Sequence, residues 1–332
     1  MPHGTRIWIP KLARYAEPDN KRGMWELALT LTLFAALWLA MWGLSFVSGW
    51  LALAALLPTA VLLVRLFILQ HDCGHGSLFS SHLANDWIGR ALGVLTLTPY
   101  DWWKHSHARH HASSGNLDKR GIGDINTLTV AEYRARTPLG RLAYRAYRHP
   151  FVLFVIGPIY MFVFQHRLPA GAWRSGAGPW LSTMGTNAGL VALVAILILV
   201  FGLKTFLFLH MPLVVLAAII GVWMFYVQHQ FNPTYWEHAS EWEREQAALH
   251  GSSYYDLPKP MMWATGNIGI HHVHHLASRI PFFRLPQVLK DHPELTGLGR
   301  LTFWDSIKCV RLALWDEKGK RLVSFREANA LA

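Results

Sequence analysis

Residues 50–75 read WLALAALLPTAVLLVRLFILQHDCGH. The run from Trp50 to Leu69 supplies the roughly 20 apolar residues that cross about 30 Å of bilayer hydrocarbon. Its single charge, Arg65, lies near the end, where a long side chain can snorkel to the interface. His71 follows almost at once and His75 comes at i+4, a spacing that puts both imidazoles on one helix face. The stretch reads as a transmembrane helix that delivers histidines to its own end.

Working outward, Trp25 to Val47 is a second apolar run, uncharged after Glu26 and joined to the first through Ser48-Gly49. Asn187 to Gly202 and Thr205 to Val227 form another pair, joined near Lys204. Composition agrees: 52% of the 332 residues are hydrophobic and 15% are charged, where a soluble domain carries about a quarter. The formal charge is +11, from 31 Lys+Arg against 20 Asp+Glu. That excess gathers in the N-terminal residues (Arg6, Lys11, Arg14, Lys21, Arg22), the middle and the C-terminal third. The two short connections are nearly free of Lys and Arg, so they should face outward, with both termini in the cytoplasm. No nucleic-acid-binding motif accompanies the positive charge. The first 23 residues lack the apolar core of a cleavable signal peptide. Cys73 and Cys309 belong to no Cys-x-x-Cys pair, so neither a disulfide framework nor a thiolate zinc site is expected.

These features give an expected organisation: a basic cytoplasmic tail over 1–23, a transmembrane region over 24–230 containing a cytoplasmic loop at 71–184, and a cytoplasmic cap over 231–332. Phe151 to Phe164 is apolar but too short for a span and fits an interfacial or re-entrant helix. An even number of crossings between the histidine-rich segments, which keeps them on one side, favours the same reading. Ala91 to Leu97 is expected to dip into the membrane surface. Residues 133–150 place Arg141, Arg145 and Arg148 at helical spacing among Tyr144 and Tyr147, as in a headgroup-level helix that anchors lipid or docks an acidic electron donor. The C-terminal third shows helix-like stretches and no clear β pattern. The expected fold is all-α: four transmembrane helices, interfacial helices and a helical cap.

Histidine carries the chemistry. Of 19 histidines, most fall in three clusters: HDCGH at 71–75, HSHARHH at 105–111 and HHVHH at 271–275. His107, His110 and His111 stand at i, i+3, i+4, and His271, His274 and His275 repeat that pattern. Each cluster can aim two or three imidazoles at one point, and neutral imidazole suits iron, copper and zinc. A ninth candidate, His229 in YVQHQ, stands where the last span leaves the bilayer, as His71 does for the second. His105 and His272 lie inside the clusters but off the pattern. His3, His82, His149, His166, His210, His238, His250 and His292 are isolated and read as surface or interface residues, with His210 unexplained inside an apolar stretch.

Nine donors exceed the three or four of one zinc. Soluble di-iron bundles use carboxylates, whereas the three clusters contain no Glu and only Asp72. A pair of irons held by histidine is the sharper reading. Such iron can activate dioxygen, the oxidant that an unactivated C–H bond requires.

HDCGH, HARHH and HHVHH resemble the three histidine boxes of the membrane-bound fatty acid desaturase superfamily. The segments WKHSHARHHASSGNLDKRGIGD, GNIGIHHVHHLASRIP, QHQFNPTYWEH and GSSYYDLP resemble its acyl-lipid branch, with delta-12/omega-6-like and bacterial delta-5-like members. The resemblance covers residues from about 65 to 290. It implies that His71, His75, His107, His110, His111, His229, His271, His274 and His275 hold two irons. It further implies that O2 and two electrons are consumed and that a double bond forms in an acyl chain lying in a kinked tunnel beneath the metals. The implied substrate is a membrane glycerolipid, and the implied location the inner membrane of a bacterium.

Two departures stand out. His105 and His272 are additional histidines within the boxes. Where some relatives place an Asn one turn before the last-span histidine, this chain has Phe225; Asn267, one turn before His271, is the substitute candidate or else a helix cap. Asp72, Asp118 and Asp124 are candidates to orient imidazoles through their free N–H, with loop and helix capping as the alternative. Trp102, Trp103, Tyr254 and Tyr255 line an acyl channel or are interfacial aromatics. No dinucleotide, iron–sulfur or fused cytochrome b5 motif occurs, so electrons are expected from a ferredoxin or b5-like partner. A hydroxylase or ketolase with the same metals is the alternative activity. A non-enzymatic membrane protein that stores or transports metal is the lesser alternative; transport fits less well, because the clusters sit at span ends rather than mid-membrane.

Overall fold

The structure, a computed structural model, describes residues 7–121 and 123–331. His3 and Arg6 lie outside the described residues. A short helix at Trp8–Leu12 and a turn at Ala13–Ala16 lead into α1 (Asn20–Ser45), whose start is capped by Asp19 accepting from the Arg22 amide at 3.0 Å. Then come α2 (Gly49–His75), α3 (His82–Leu95), α4 (Tyr100–Ser113), α5 (Pro138–Tyr147), α6 (Ala177–Phe201), α7 (Leu203–His229), α8 (Lys259–Ala264), α9 (His271–Leu276) and α10 (Phe303–Cys309).

Helices α1, α2, α6 and α7 are each long and apolar enough to cross a membrane, and the chain is an integral membrane protein. The helices extend past the apolar runs that announce them. α2 continues to His75 and stops at Gly76, whose φ of +64° is a left-handed conformation that glycine adopts without cost. α6 begins about ten residues before its expected start. α2 is the central span, packed against α1, α3 and α7.

Arg65 does not snorkel. It is buried, donating to Glu26 Oε2 at 2.6 Å and Thr30 Oγ1 at 3.1 Å and also to the Trp263 carbonyl. A buried guanidinium needs a charge partner, and Glu26, equally buried on α1, provides it. The segment around Ala91–Leu97 belongs to α3, which packs against α2 and α6 with Leu92 and Gly93 buried.

The 133–150 region also differs from expectation. Tyr144 and Arg148 point inward. The Tyr144 hydroxyl donates to the Ala313 carbonyl at 2.7 Å. Arg148 is 5% exposed and donates to Leu312 O (2.5 Å), Gln230 Oε1 (3.1 Å), Thr127 Oγ1 (3.2 Å) and Tyr226 OH (3.3 Å). The stripe of arginines thus turns one member into the interior, where it joins the foot of α7 to the cap. Residues 152–167 form a broken helix bent 59° from α5. It packs on α7, with the Phe154 ring 5.1 Å from Trp223 and 4.9 Å from Tyr226.

Among the described residues, five short strands appear where none was expected: β1 (Leu128–Thr129), β2 (Tyr254–Tyr255), β3 (Arg300–Leu301), β4 (Leu314–Asp316) and β5 (Arg321–Val323). β1 runs parallel to β4 and β4 antiparallel to β5, pairing Leu128 with Leu314 and Leu314 with Val323; β2 runs parallel to β3. Strands of two or three residues are too short to show an alternating pattern. β1 comes from the loop after α4, so that loop and the C-terminal segment share one sheet.

Candidate metal centre

Four elements carry the histidines to one place. α2 presents His71 and His75 in its last turn; α4 presents His107, His110 and His111; α7 ends on His229; and α9 presents His271, His274 and His275. α9 is only six residues long, and every one is buried. Its approach depends on the GNIGI segment before it. A Cβ at Gly266 would stand 2.7 Å from Ile68 Cγ2, and one at Gly269 would stand 2.4 Å from the Tyr255 carbonyl oxygen. Glycine at both positions lets the backbone turn against α2 and β2.

The nine side chains form two groups. His71, His75, His107, His111 and His274 make one; His110, His229, His271 and His275 make the other. Within each, the potential ligand atoms lie within 4.8 Å of one another. In the first, Nε2 atoms pair as His71–His75 (3.3 Å), His75–His107 (3.1 Å), His107–His111 (3.0 Å) and His111–His274 (3.2 Å). In the second the pairs are His110–His229 (3.2 Å), His229–His271 (3.0 Å) and His271–His275 (3.1 Å). Nitrogens about 2.1 Å from a shared divalent ion stand roughly 3.0–3.4 Å apart at octahedral to tetrahedral angles. The observed spacings fit, so the residues present suit a metal in each group. Burial pushes His107, His111, His271, His274 and His275 well below the ordinary imidazole value. They are therefore neutral, the form with a free lone pair.

Of Asp72, Asp118, Asp124 and Asn267, two touch an imidazole of the two groups. Asp124 Oδ1 is 2.5 Å from His110 Nδ1. Asp72 Oδ1 is 3.3 Å from His71 Nδ1, while its Oδ2 accepts from the Phe282 amide at 2.7 Å. A carboxylate placed at Nδ1 can accept the outer N–H and leave Nε2 for the centre. Asp118 lies elsewhere: it accepts from His238 Nδ1 at 2.8 Å and the Ala239 amide at 2.8 Å, which hold its carboxyl below the usual range. Asn267 sits at φ +51° and donates to the Phe282 carbonyl at 3.4 Å, touching neither group. Phe225 packs on the second group, 5.3 Å from His110 and 5.0 Å from His229.

His105 and His272 fall outside both groups. His105 is exposed and stacks on Trp102 at 5.9 Å. His272 is buried, its Nε2 3.0 Å from the Leu295 carbonyl, and desolvation lowers it to about 4. His292 is no free surface residue; it is wedged between Trp8 and Tyr15 at 5.5 and 6.1 Å. His210 lies edge-on to Trp38 and stacked on Phe206.

Trp103 has a role not read from the sequence. Its ring lies 4.7 Å from His107, nearly parallel at 13°, and edges Phe67 at 5.4 Å. A Cβ at Gly74 would come within 2.9 Å of that indole. The i, i+4 spacing of Trp103 and His107 was the available signal. Tyr255 donates or accepts with Ser306 Oγ at 3.1 Å, and Tyr254 donates to Asp256 at 3.0 Å, so both pack within the cap. A small cleft lined by Asn116, Asp124, Gln230 and Trp236 reaches His229.

A family model described as fatty acid desaturase matches residues 48–306. A "Fatty acid desaturase" of Bacillus subtilis (strain 168) is 44% identical over 325 residues, covering 98% of this chain and 92% of that protein. An "sn-1 acyl-lipid omega-3 desaturase (ferredoxin)" of Synechocystis is 27% identical, covering 72% of this chain and 69% of the relative. An "sn-1 oleoyl-lipid 12-desaturase" of the same organism is 27% identical, covering 68% and 64%. Two buried histidine groups at the ends of membrane-crossing helices, and a relative alike along almost the whole chain, lead to one conclusion: this chain belongs to the fatty acid desaturase family.

Proposed function

We propose that this fatty acyl desaturase places a cis double bond in an acyl chain of a membrane glycerolipid, with one iron in each histidine group and O2 as co-substrate. The observation that carries the reading is the convergence of nine imidazoles from four separate segments into two groups of five and four. His71, His75, His107, His111 and His274 would hold one iron, and His110, His229, His271 and His275 the other. Bound there, iron supplies the O2 activation that removing hydrogen from unactivated methylenes demands. The chain's own residues keep that chemistry ordered. Asp72 and Asp124 fix the tautomers of His71 and His110, Trp103 holds the plane of His107, and Phe225 keeps an apolar wall against the second group. The relatives' printed names support the lipid-borne substrate and a ferredoxin as electron donor; a b5-like donor is the other candidate. His71, His75 and His229 lie at the ends of α2 and α7, which with the charge distribution supports a cytoplasmic site, cytoplasmic termini and a bacterial inner membrane. On this reading 1–23 is a cytoplasmic tail, 24–230 the membrane region with loop 71–184, and 231–332 the cap.

The test is expression in a host lacking desaturases, followed by lipid mass spectrometry with double-bond localisation. Acyl chains lighter by two hydrogens, dependent on O2 and lost in His110→Ala, are expected. Chains heavier by one oxygen would replace the reading with a hydroxylase.

A further inference from the structure

The cap meets the spans at a shared depth on two sides. On one, the Arg65 guanidinium of α2 lies 4.4 Å from the Trp263 ring of α8 and donates to the Trp263 carbonyl. On the other, Trp223 of α7 donates to the Tyr255 hydroxyl at 3.4 Å, which bonds Ser306 of α10 at 3.1 Å, and Tyr226 donates to the Cys309 carbonyl at 2.9 Å. Arg65 precedes His71 by six residues, and Trp223 precedes His229 by six. At the helical rise, the Arg65 and Trp223 contacts lie about 9 Å, and the Tyr226 contact about 4.5 Å, back along their spans from the histidines, toward the hydrocarbon.

At this depth both cap helices turn large apolar side chains outward. Met261 and Trp263 on α8 are 45% and 40% exposed; Phe303, Trp304 and Ile307 on α10 are 42%, 72% and 44% exposed. Trp25, next to the Glu26 that pairs with Arg65, is 57% exposed at the same level. Exposed cations flank them: Lys259 opens α8, and Lys308 and Arg311 close α10. Large apolar surface facing water marks an interaction site, and a tryptophan level edged by Lys and Arg is the chemistry of a membrane interface.

We propose that the cap does not stand clear of the bilayer: α8 and α10 are seated in the lipid of the leaflet beside them, with Trp25, Trp263 and Trp304 forming a belt. The occupant of these faces is lipid, because the spans they touch are themselves in lipid at that depth. The placement needs no bound metal and stands independently of the desaturase reading.

Site-directed spin labelling tests it on the full chain in phosphatidylethanolamine–phosphatidylglycerol vesicles. Cys73 and Cys309 are both buried, so a nitroxide can be directed to Trp304→Cys, Met261→Cys or, as a water-facing control, Lys318→Cys. Collisions with O2, which partitions into lipid, should exceed those with a water-soluble nickel chelate several-fold at 304 and 261, with the reverse at 318. Chelate access at 304 and 261 equal to that at 318 overturns the proposal. So does protection from both reagents, which would mean that a protein, a second copy or a partner, covers the surface.

Discussion

Asp124 and Asp118 stand six residues apart in one loop, and only Asp124 reaches a histidine of the two groups. Losing the carboxylate that orients a ligand typically costs ten- to a hundredfold in metal affinity. Asp124→Asn should therefore release iron to a competing chelator about ten- to a hundredfold more readily, while Asp118→Asn should match wild type. Equal retention in Asp124→Asn would remove its role. Gly74→Ala makes a separate demand. Its new methyl would collide with Trp103, and such overpacking costs about 1–3 kcal/mol. Thermal unfolding should show that loss, and Trp103→Leu in the same chain should restore part of it. The histidine groups were legible because their spacing is local, three and four residues on a helix. The orienting carboxylates were legible as candidates, but not which of Asp118 and Asp124 turns inward, since a loop between α4 and β1 has no period from which to read it.

At the level of elements, the buried Arg65–Glu26 pair joins α1, α2 and α8. Arg22 also pairs with Glu26, at 2.6 Å, whereas Glu26 is the charge partner of Arg65, so removing Glu26 strands the buried guanidinium at a cost of about 3–5 kcal/mol. Glu26→Gln should lower the unfolding midpoint in detergent sharply, and Glu26→Gln combined with Arg65→Met should recover much of it. Equal destabilisation by the single and double variants would show that the charge pairing is unimportant. The sequence signalled all four spans through their apolar runs but misjudged their ends. A helix obeys its hydrogen-bond ladder, not hydropathy, and α2 ran on until Gly76 offered a left-handed stop. The same blindness hid Arg148. Charge at helical spacing announces a face, and whether that face meets water or the chain's own carbonyls depends on segments far away in sequence.

For the whole molecule, metal and fold should support each other. A ligand that binds only the folded chain stabilises it by about 2.7 kcal/mol at a hundred times its Kd. Chelator-stripped protein should unfold at a lower temperature than the iron-loaded form, and added ferrous iron should reverse the shift. An unchanged midpoint would mean that the two groups take up no metal in the folded state.

The spread of donors along the chain also bears on biosynthesis. The first group joins His71 to His274, and the second is incomplete before His275. On the proposed ligand set, a nascent polypeptide has threaded α1, α2, α6 and α7, and the ribosome has passed the codon for His274, before either nest of nitrogens can close. Iron is then the last component to arrive, and its delivery belongs to the finished protein in the membrane rather than to translation.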